Sequence, residues 1–126
     1  VQPKITDLAV WKNDIDYTNE LFRGNKLLII IQSIEKTDTD NSKAIKTIGE
    51  KLNNATTWVL TSSSKNDYKK FSQAVQWNFP FFFTDATVLK TIVRSSPGIV
   101  LLKDGVVAGK WHYNNTPTIK EIESIL

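Results

Sequence analysis

The run KLLIII at residues 26–31 constrains the fold more than any other stretch of this chain. Five consecutive aliphatic residues, three of them isoleucine, leave no polar side to face water. Such a run reads as a strand covered on both faces, the kind found inside parallel sheets. It therefore demands helices above and below the sheet. The chain can supply them: 126 residues with 40% hydrophobic content suit one compact core.

The rest of the pattern fits that demand. Residues 5–11, ITDLAVW, read as a short strand, with Asn13 and Asp14 as a turn. Residues 18–23 predict one or two helical turns stopped by Gly24. Ala44, Ile45, Ile48 and Leu52 recur at helical spacing, TTWVLT (56–61) is the next strand, and Tyr68, Phe71, Ala74 and Val75 mark a second helix. FPFFF (79–83) reads as a third core strand that starts at Pro80. Asp85 then caps a short helix carrying Val88, Leu89, Ile92 and Val93. Pro97 opens a strand over 99–102, Asp104-Gly105 signals a hairpin, and residues 106–113 return. Thr116 followed by Pro117 predicts the cap of a last helix with Ile119, Ile122, Ile125 and Leu126 on its apolar side. Alternating strands and helices followed by a hairpin predict an α/β three-layer sandwich with a central mixed sheet and helices on both faces.

Composition removes several function classes. The net charge is +3, and the basic residues (Lys43, Lys46, Lys65, Lys69, Lys70, Lys103, Lys110) are interspersed with acidic ones, which reads as a solvated surface rather than a nucleic-acid face. No apolar run reaches the roughly 20 residues that span a bilayer. With no cysteine, the chain can form no disulfide, thiolate ligand or thiol nucleophile. It also lacks methionine and begins with Val1. The expectation is a piece or mature form of a longer chain, with any signal or membrane segment lying in what was removed.

The order of these motifs resembles a thioredoxin-like domain of the branch that holds thiol-disulfide reductases and peroxiredoxin-like proteins. The carriers are ITDLAVWKNDIDYTNELFRGNKLLIII, VLTSSSKNDYKKFSQAVQWNFPFFFTDATVLKTIV and SSPGIVLLKDG. More narrowly, DLAVWKNDIDYTNELF, LTSSS and LKTIVRSSPGIVLLKDGVVAGKWHYN look like the soluble C-terminal domain of bacterial DoxX-type membrane proteins. That likeness implies a tether to the inner membrane through the parent chain and an extracytoplasmic, periplasmic location. The redox members of the branch carry Cys-x-x-Cys or a peroxidatic cysteine where the first core strand meets its helix. Here the junction reads SIEKTDTDNSKAI, and the family's cysteine positions fall within residues 37–42. Gln32 and Ser33 stand where many members bury an acid.

The resemblance further implies a cis bond before Pro97. It leaves Ser96 with its backbone N–H and C=O outward, the edge on which redox members pair a partner's extended backbone. Pro97 then serves chiefly to fix the start of its strand, and the alternative is a retained docking edge. That edge comprises Ser96 and Pro97 with Thr37, Asp38, Thr39, Asp40, Asn41 and Ser42. Asp38, Asp40 and Ser42 have the opening spacing of a calcium loop, but Lys43 and Gly49 stand where glycine and a bidentate glutamate are required. The plainer reading is that Asp40 or Asn41 caps the following helix.

His112 is the only histidine, too few for the common zinc sites, and its place late in an edge strand predicts a rim position. Ser62, Ser63 and Ser64 read as a loop, since no G-x-S-x-G turn is present. Gly98, Gly105 and Gly109 form no phosphate cradle, and Trp11, Trp58, Trp77 and Trp111 lie on separate elements. No metal or cofactor is expected. The functional expectation is a non-catalytic accessory or partner-binding domain with a protein or peptide partner. The alternatives are a redox-associated subunit whose cysteines lie elsewhere in the parent or in a partner, and a structural domain that self-associates through a sheet edge.

Overall fold

The computed structural model describes residues 8–93 and 95–126. Residues 5–7 of the first expected strand, and Arg94 ahead of Pro97, lie outside the described residues. One seven-stranded sheet, in the order β2-β1-β5-β4-β3-β6-β7, organises the chain. Its centre is β3 (Asn25–Ile31), the strand that contains KLLIII. β3 pairs in parallel with β4 (Thr56–Thr61) and antiparallel with β6 (Gly98–Lys103). β5 (Phe81–Phe83) continues the parallel half, and β7 (Val106–His112) closes the other edge.

Both faces of β3 are covered. Leu28 and Ile30 enter a core shared with Leu21 of α1 (Thr18–Leu21) and with Leu89 and Ile92 of α4 (Ala86–Ile92). Leu27, Ile29 and Ile31 enter the opposite core. Ile45 and Ile48 of α2 (Ser42–Lys51), Tyr68 and Phe71 of α3 (Lys65–Val75), and Ile122 of α5 (Ile119–Ile125) fill that side. All five aliphatic side chains of the run are at most 1% exposed. Each such burial contributes about 1.5–3 kcal/mol, which is why this strand takes the central place.

Several sequence expectations shift. Residues 8–10 are not in a strand; β1 is Trp11–Lys12, paired with β2 (Ile15–Asp16). Asn13 and Asp14 both have positive φ (52° and 65°), the primed turn a two-residue hairpin needs. Val10 instead exchanges bonds with the start of α1, donating to Thr18 Oγ1 and accepting from Tyr17 N. β5 begins at Phe81, not at Pro80, although the Pro80 carbonyl still accepts Val59 N–H at 2.9 Å. Phe83 is 49% exposed, so the strand is only half core. Ala44 and Ala74 face solvent. The last helix is capped by Thr118, not Thr116. Thr118 and Glu121 satisfy each other's backbone N–H groups in a capping box, while Thr116 Oγ1 donates to Tyr113 O in the preceding 3-10 turn.

Asp104 and Gly105 form the expected primed turn between β6 and β7, with φ of 49° and 83°. The Ser96–Pro97 peptide bond is cis. The register of β6 against β3 places Ile30 opposite Gly98. Two residues further, Gln32 therefore leaves the sheet beside Ser96.

Candidate functional site

The site is built where β3, β4 and β6 end together. Gln32 N donates to Ser96 Oγ at 3.1 Å, and Gln32 Nε2 donates to Val93 O at 2.7 Å. On the other side, the parallel register sets Ile31 beside Thr61. The serines after Thr61 then each take a task. Ser62 Oγ donates to Gln32 O, Ser63 Oγ accepts Ile34 N–H at 3.1 Å, and Ser64 caps α3 by accepting Asp67 N–H at 3.1 Å. What the sequence shows only as a polar loop is a clamp on the outgoing end of β3.

A 3-10 turn (Ile34–Lys36) then swings the chain back over Ser96. Thr37 Oγ1 donates to Ser33 O at 2.5 Å and lies 2.8 Å from Ser96 Oγ. A hydroxyl has one proton, and a carbonyl only accepts. The Thr37 proton is therefore committed to Ser33 O, and Ser96 must be the donor of the shared bond. Asp38 N also donates to Ser96 O at 2.9 Å.

This corrects the expected open edge. The Ser96 carbonyl is occupied by the chain's own loop, and Ser95, Ser96 and Pro97 are all buried. The structure brings Thr37 and Asp38 onto Ser96, while Thr39 and Asp40 remain exposed and Asn41 and Ser42 half-buried.

Neither Asp40 nor Asn41 caps α2, another correction. Asn41 is the N-cap residue but its side chain makes no cap bond. Its amide donates instead to Tyr113 O at 2.7 Å, tying the loop to the end of β7. Asp38 Oδ1 accepts Asp40 N–H at 2.8 Å, and Ser42 O accepts the Trp77 indole N–H at 3.1 Å. Loss of solvent, then the Asp38 and Asp40 carboxylates beside it, push the Tyr113 phenol above its ordinary pKa. Gln32, which the resemblance sets at this junction, belongs to the site, and so do Tyr113 and Ser63, which nothing in the local pattern marks. Their partners lie 29 to 72 residues away.

At the Thr37–Ser96 contact both hydroxyls are hydrogen-bonded. Thr37 points its proton at a carbonyl rather than at a base, so nothing activates it as a nucleophile. His112 is exposed; its Nδ1 accepts Asn114 N–H at 3.1 Å and its ring stacks on Tyr113 at 4.2 Å. Among the described residues, no group of three His, Cys, Asp or Glu could hold a metal ion. The hydroxyls of Ser33 and Ser95 are buried without a partner among the described residues.

Solved structures share this arrangement of strands and helices. A putative thioredoxin from Neisseria meningitidis superposes with a TM-score of 0.66 at 14% identity, over 97% of this chain and 89% of that one. The fold is thioredoxin-like. The pneumococcal exposed lipoprotein thioredoxin Etrx1 from Streptococcus pneumoniae covers 93% of this thioredoxin-like chain and 96% of its own, with a TM-score of 0.59 and 14% identity. The C-terminal domain of an uncharacterised protein from Bacteroides fragilis matches at a TM-score of 0.53 and 14% identity, over 94% and 90% of the two chains. No protein-family model and no curated protein matches the sequence. Within the thioredoxin-like frame, Thr37 is the residue of the 37–42 segment whose side chain meets the serine before the cis-proline.

Proposed function

We propose that this chain is a non-catalytic thioredoxin-like domain that works as an accessory or partner-binding module. The observation that carries the reading is the Thr37–Ser96 hydroxyl pair. A cysteine-free chain keeps the junction of first core strand and helix, and closes it with internal hydrogen bonds. A protein or peptide partner meets the outward side of the 37–42 loop, at Thr39 and Asp40, with Asp38, Asn41 and Ser42 at its rim. Ser96 and Pro97 lie beneath as the support that holds the loop in place.

The domain is the soluble C-terminal part of a DoxX-type bacterial membrane protein, held at the extracytoplasmic side of the inner membrane. The exposed-lipoprotein description of the pneumococcal neighbour and the C-terminal position of the Bacteroides domain support that placement. Among the described residues no helix is long and apolar enough to cross a membrane, so the tether belongs to the parent chain.

The test is site-specific photo-cross-linking in bacterial membranes that hold the parent protein. A probe at Thr39 or Asp40 is expected to capture a partner, and a probe at Lys120 or Glu123 on α5 is not. Adducts from α5 alone would overturn the face. In parallel, an insulin-reduction assay on the domain is expected to match buffer; measurable turnover would overturn the non-catalytic reading.

A further inference from the structure

Among the described residues, three large apolar side chains stand in solvent: Trp11 (37% exposed), Ile15 (56%) and Phe83 (49%). All lie on the β2-β1-β5 side of the sheet, away from the Thr37 loop. Trp11 and Phe83 are cross-strand partners, so their rings stand side by side. Beside them opens a cavity of about 380 Å³, walled by Trp11, Phe81 and Phe83 and rimmed by Lys12, Lys65 and Lys69. That volume falls in the range of about 300–1,000 Å³ typical of small-molecule sites.

Among the described residues, the charged side chains that line this cavity are all lysines. Asp14 lines the adjoining, more open depression, which shares Trp11, Asn13, Lys65 and Phe83 with this cavity, and the Asp16 carboxylate, cross-strand from Trp11, accepts Thr18 N–H at 2.8 Å. Two of the ammonium groups are held at the rim. Lys65 Nζ donates to Asn13 Oδ1 at 3.3 Å, and Lys12 Nζ sits 5.4 Å from the Phe82 and 5.8 Å from the Phe81 ring centroid. Aromatic walls favour a planar apolar body by stacking. A cationic rim favours an acidic group through charge-assisted hydrogen bonds. A bounded concavity suits an inserted ring better than a flat bilayer.

The geometry points to a binding site for a small planar aromatic anion. Its ring lies against Trp11 and Phe83, and its carboxylate, sulfonate or phosphate meets Lys65 and Lys69. This site does not rest on the partner-binding reading of the 37–42 loop.

The test uses a matched pair of fluorescent probes on the whole domain: anilinonaphthalene sulfonate, and phenylnaphthylamine, which has the same rings without the sulfonate. The sulfonate is expected to bind saturably at one site, with NMR shifts confined to residues 11–13, 61–69 and 81–83. Lys65→Glu with Lys69→Glu is expected to weaken it about tenfold or more, and added salt to weaken it further. Phe83→Ser, at a half-exposed position, is expected to weaken both probes while lowering the unfolding midpoint only modestly. Equal binding of the two probes, insensitivity to charge reversal, or shifts elsewhere would overturn the site. Binding to phosphatidylglycerol vesicles that depends on the lysines, without saturable sulfonate binding, would overturn it in favour of a membrane contact.

Discussion

Replacing Thr37 by valine keeps the shape of the side chain and deletes one hydroxyl. The structure says what that hydroxyl does: it donates to Ser33 O at 2.5 Å and accepts from Ser96 Oγ at 2.8 Å. An intramolecular hydrogen bond contributes about 1 kcal/mol net, and a buried group left unpaired costs about 1–3 kcal/mol. Ser33 O sits at a half-buried turn where water can replace the threonine, whereas Ser96 is only 9% exposed. The expected loss is therefore about 2 kcal/mol, most of it from the stranded Ser96 proton. Ser96→Ala deletes the same shared bond and also orphans Gln32 N–H, so it is expected to cost at least as much. Because the Thr37–Ser96 bond is counted in both single variants, the double variant should fall short of their sum by about 1 kcal/mol. Urea unfolding at neutral pH, with equal slopes for the four proteins, measures each corner of the cycle. Thr37→Ser, which keeps the hydroxyl, is the control and should lose less than Thr37→Val. Additivity of the two substitutions, or a Thr37→Val cost below about 0.5 kcal/mol, would refute the hydroxyl pair as the closure of this site.

Other substitutions probe the frame around it. Gly98→Ala would set a Cβ 2.4 Å from Val93 Cγ1; a loss of about 1–3 kcal/mol is expected, with part of it recovered when Val93→Ala is added. Chemical denaturation of the pair reads this, and simple additivity would contradict it. The Tyr68 hydroxyl is buried without a partner among the described residues, and burial raises its pKa. Tyr68→Phe should therefore leave stability unchanged or higher. The unfolded phenol loses its proton above about pH 10 while the buried one keeps it, so the unfolded state binds fewer protons there and stability falls. Thermal melts should show a steeper alkaline loss for the parent sequence than for Tyr68→Phe, and parallel profiles would count against the burial argument. Thr118→Ala should cost about 1 kcal/mol through loss of the capping box, measurable as a lower melting temperature. Finally, Thr37→Cys with Asp40→Cys restores the Cys-x-x-Cys spacing. Mass spectrometry after mild oxidation should find an intramolecular disulfide, and two persistent free thiols would show that the 37–40 turn has departed from the redox geometry.

The core and its order were legible because they rest on local periodicity. KLLIII, TTWVLT and the Asp104-Gly105 turn each carry their own physical signature and appear in the structure within a residue of where the pattern puts them. The misplaced elements failed for the same kind of reason. Thr116-Pro117 is a good local cap signal, but Thr118 has Glu121 three residues on, and a two-sided capping box outcompetes a one-sided cap. Phe81 and Phe83 read as core because aromatic residues usually are, yet β5 lies next to the short β1–β2 hairpin, which is too small to cover Phe83.

From residue order alone came the two-faced strand, the alternation that forces a mixed α/β sheet, and the absence of sulfur chemistry. These follow from side-chain type and near-neighbour spacing. Which polar groups meet was decided elsewhere: Thr37 with Ser96, 59 residues apart, and Gln32 with Val93, 61 apart, are joined by the register of β6 on β3. The same holds for charge. Lys12, Lys65 and Lys69 look dispersed along the chain, and only the pairing of β1 with β5 beside the start of α3 gathers them on one aromatic rim. Local pattern reports which face of an element is buried; it carries no information about which distant loop will lie across that face.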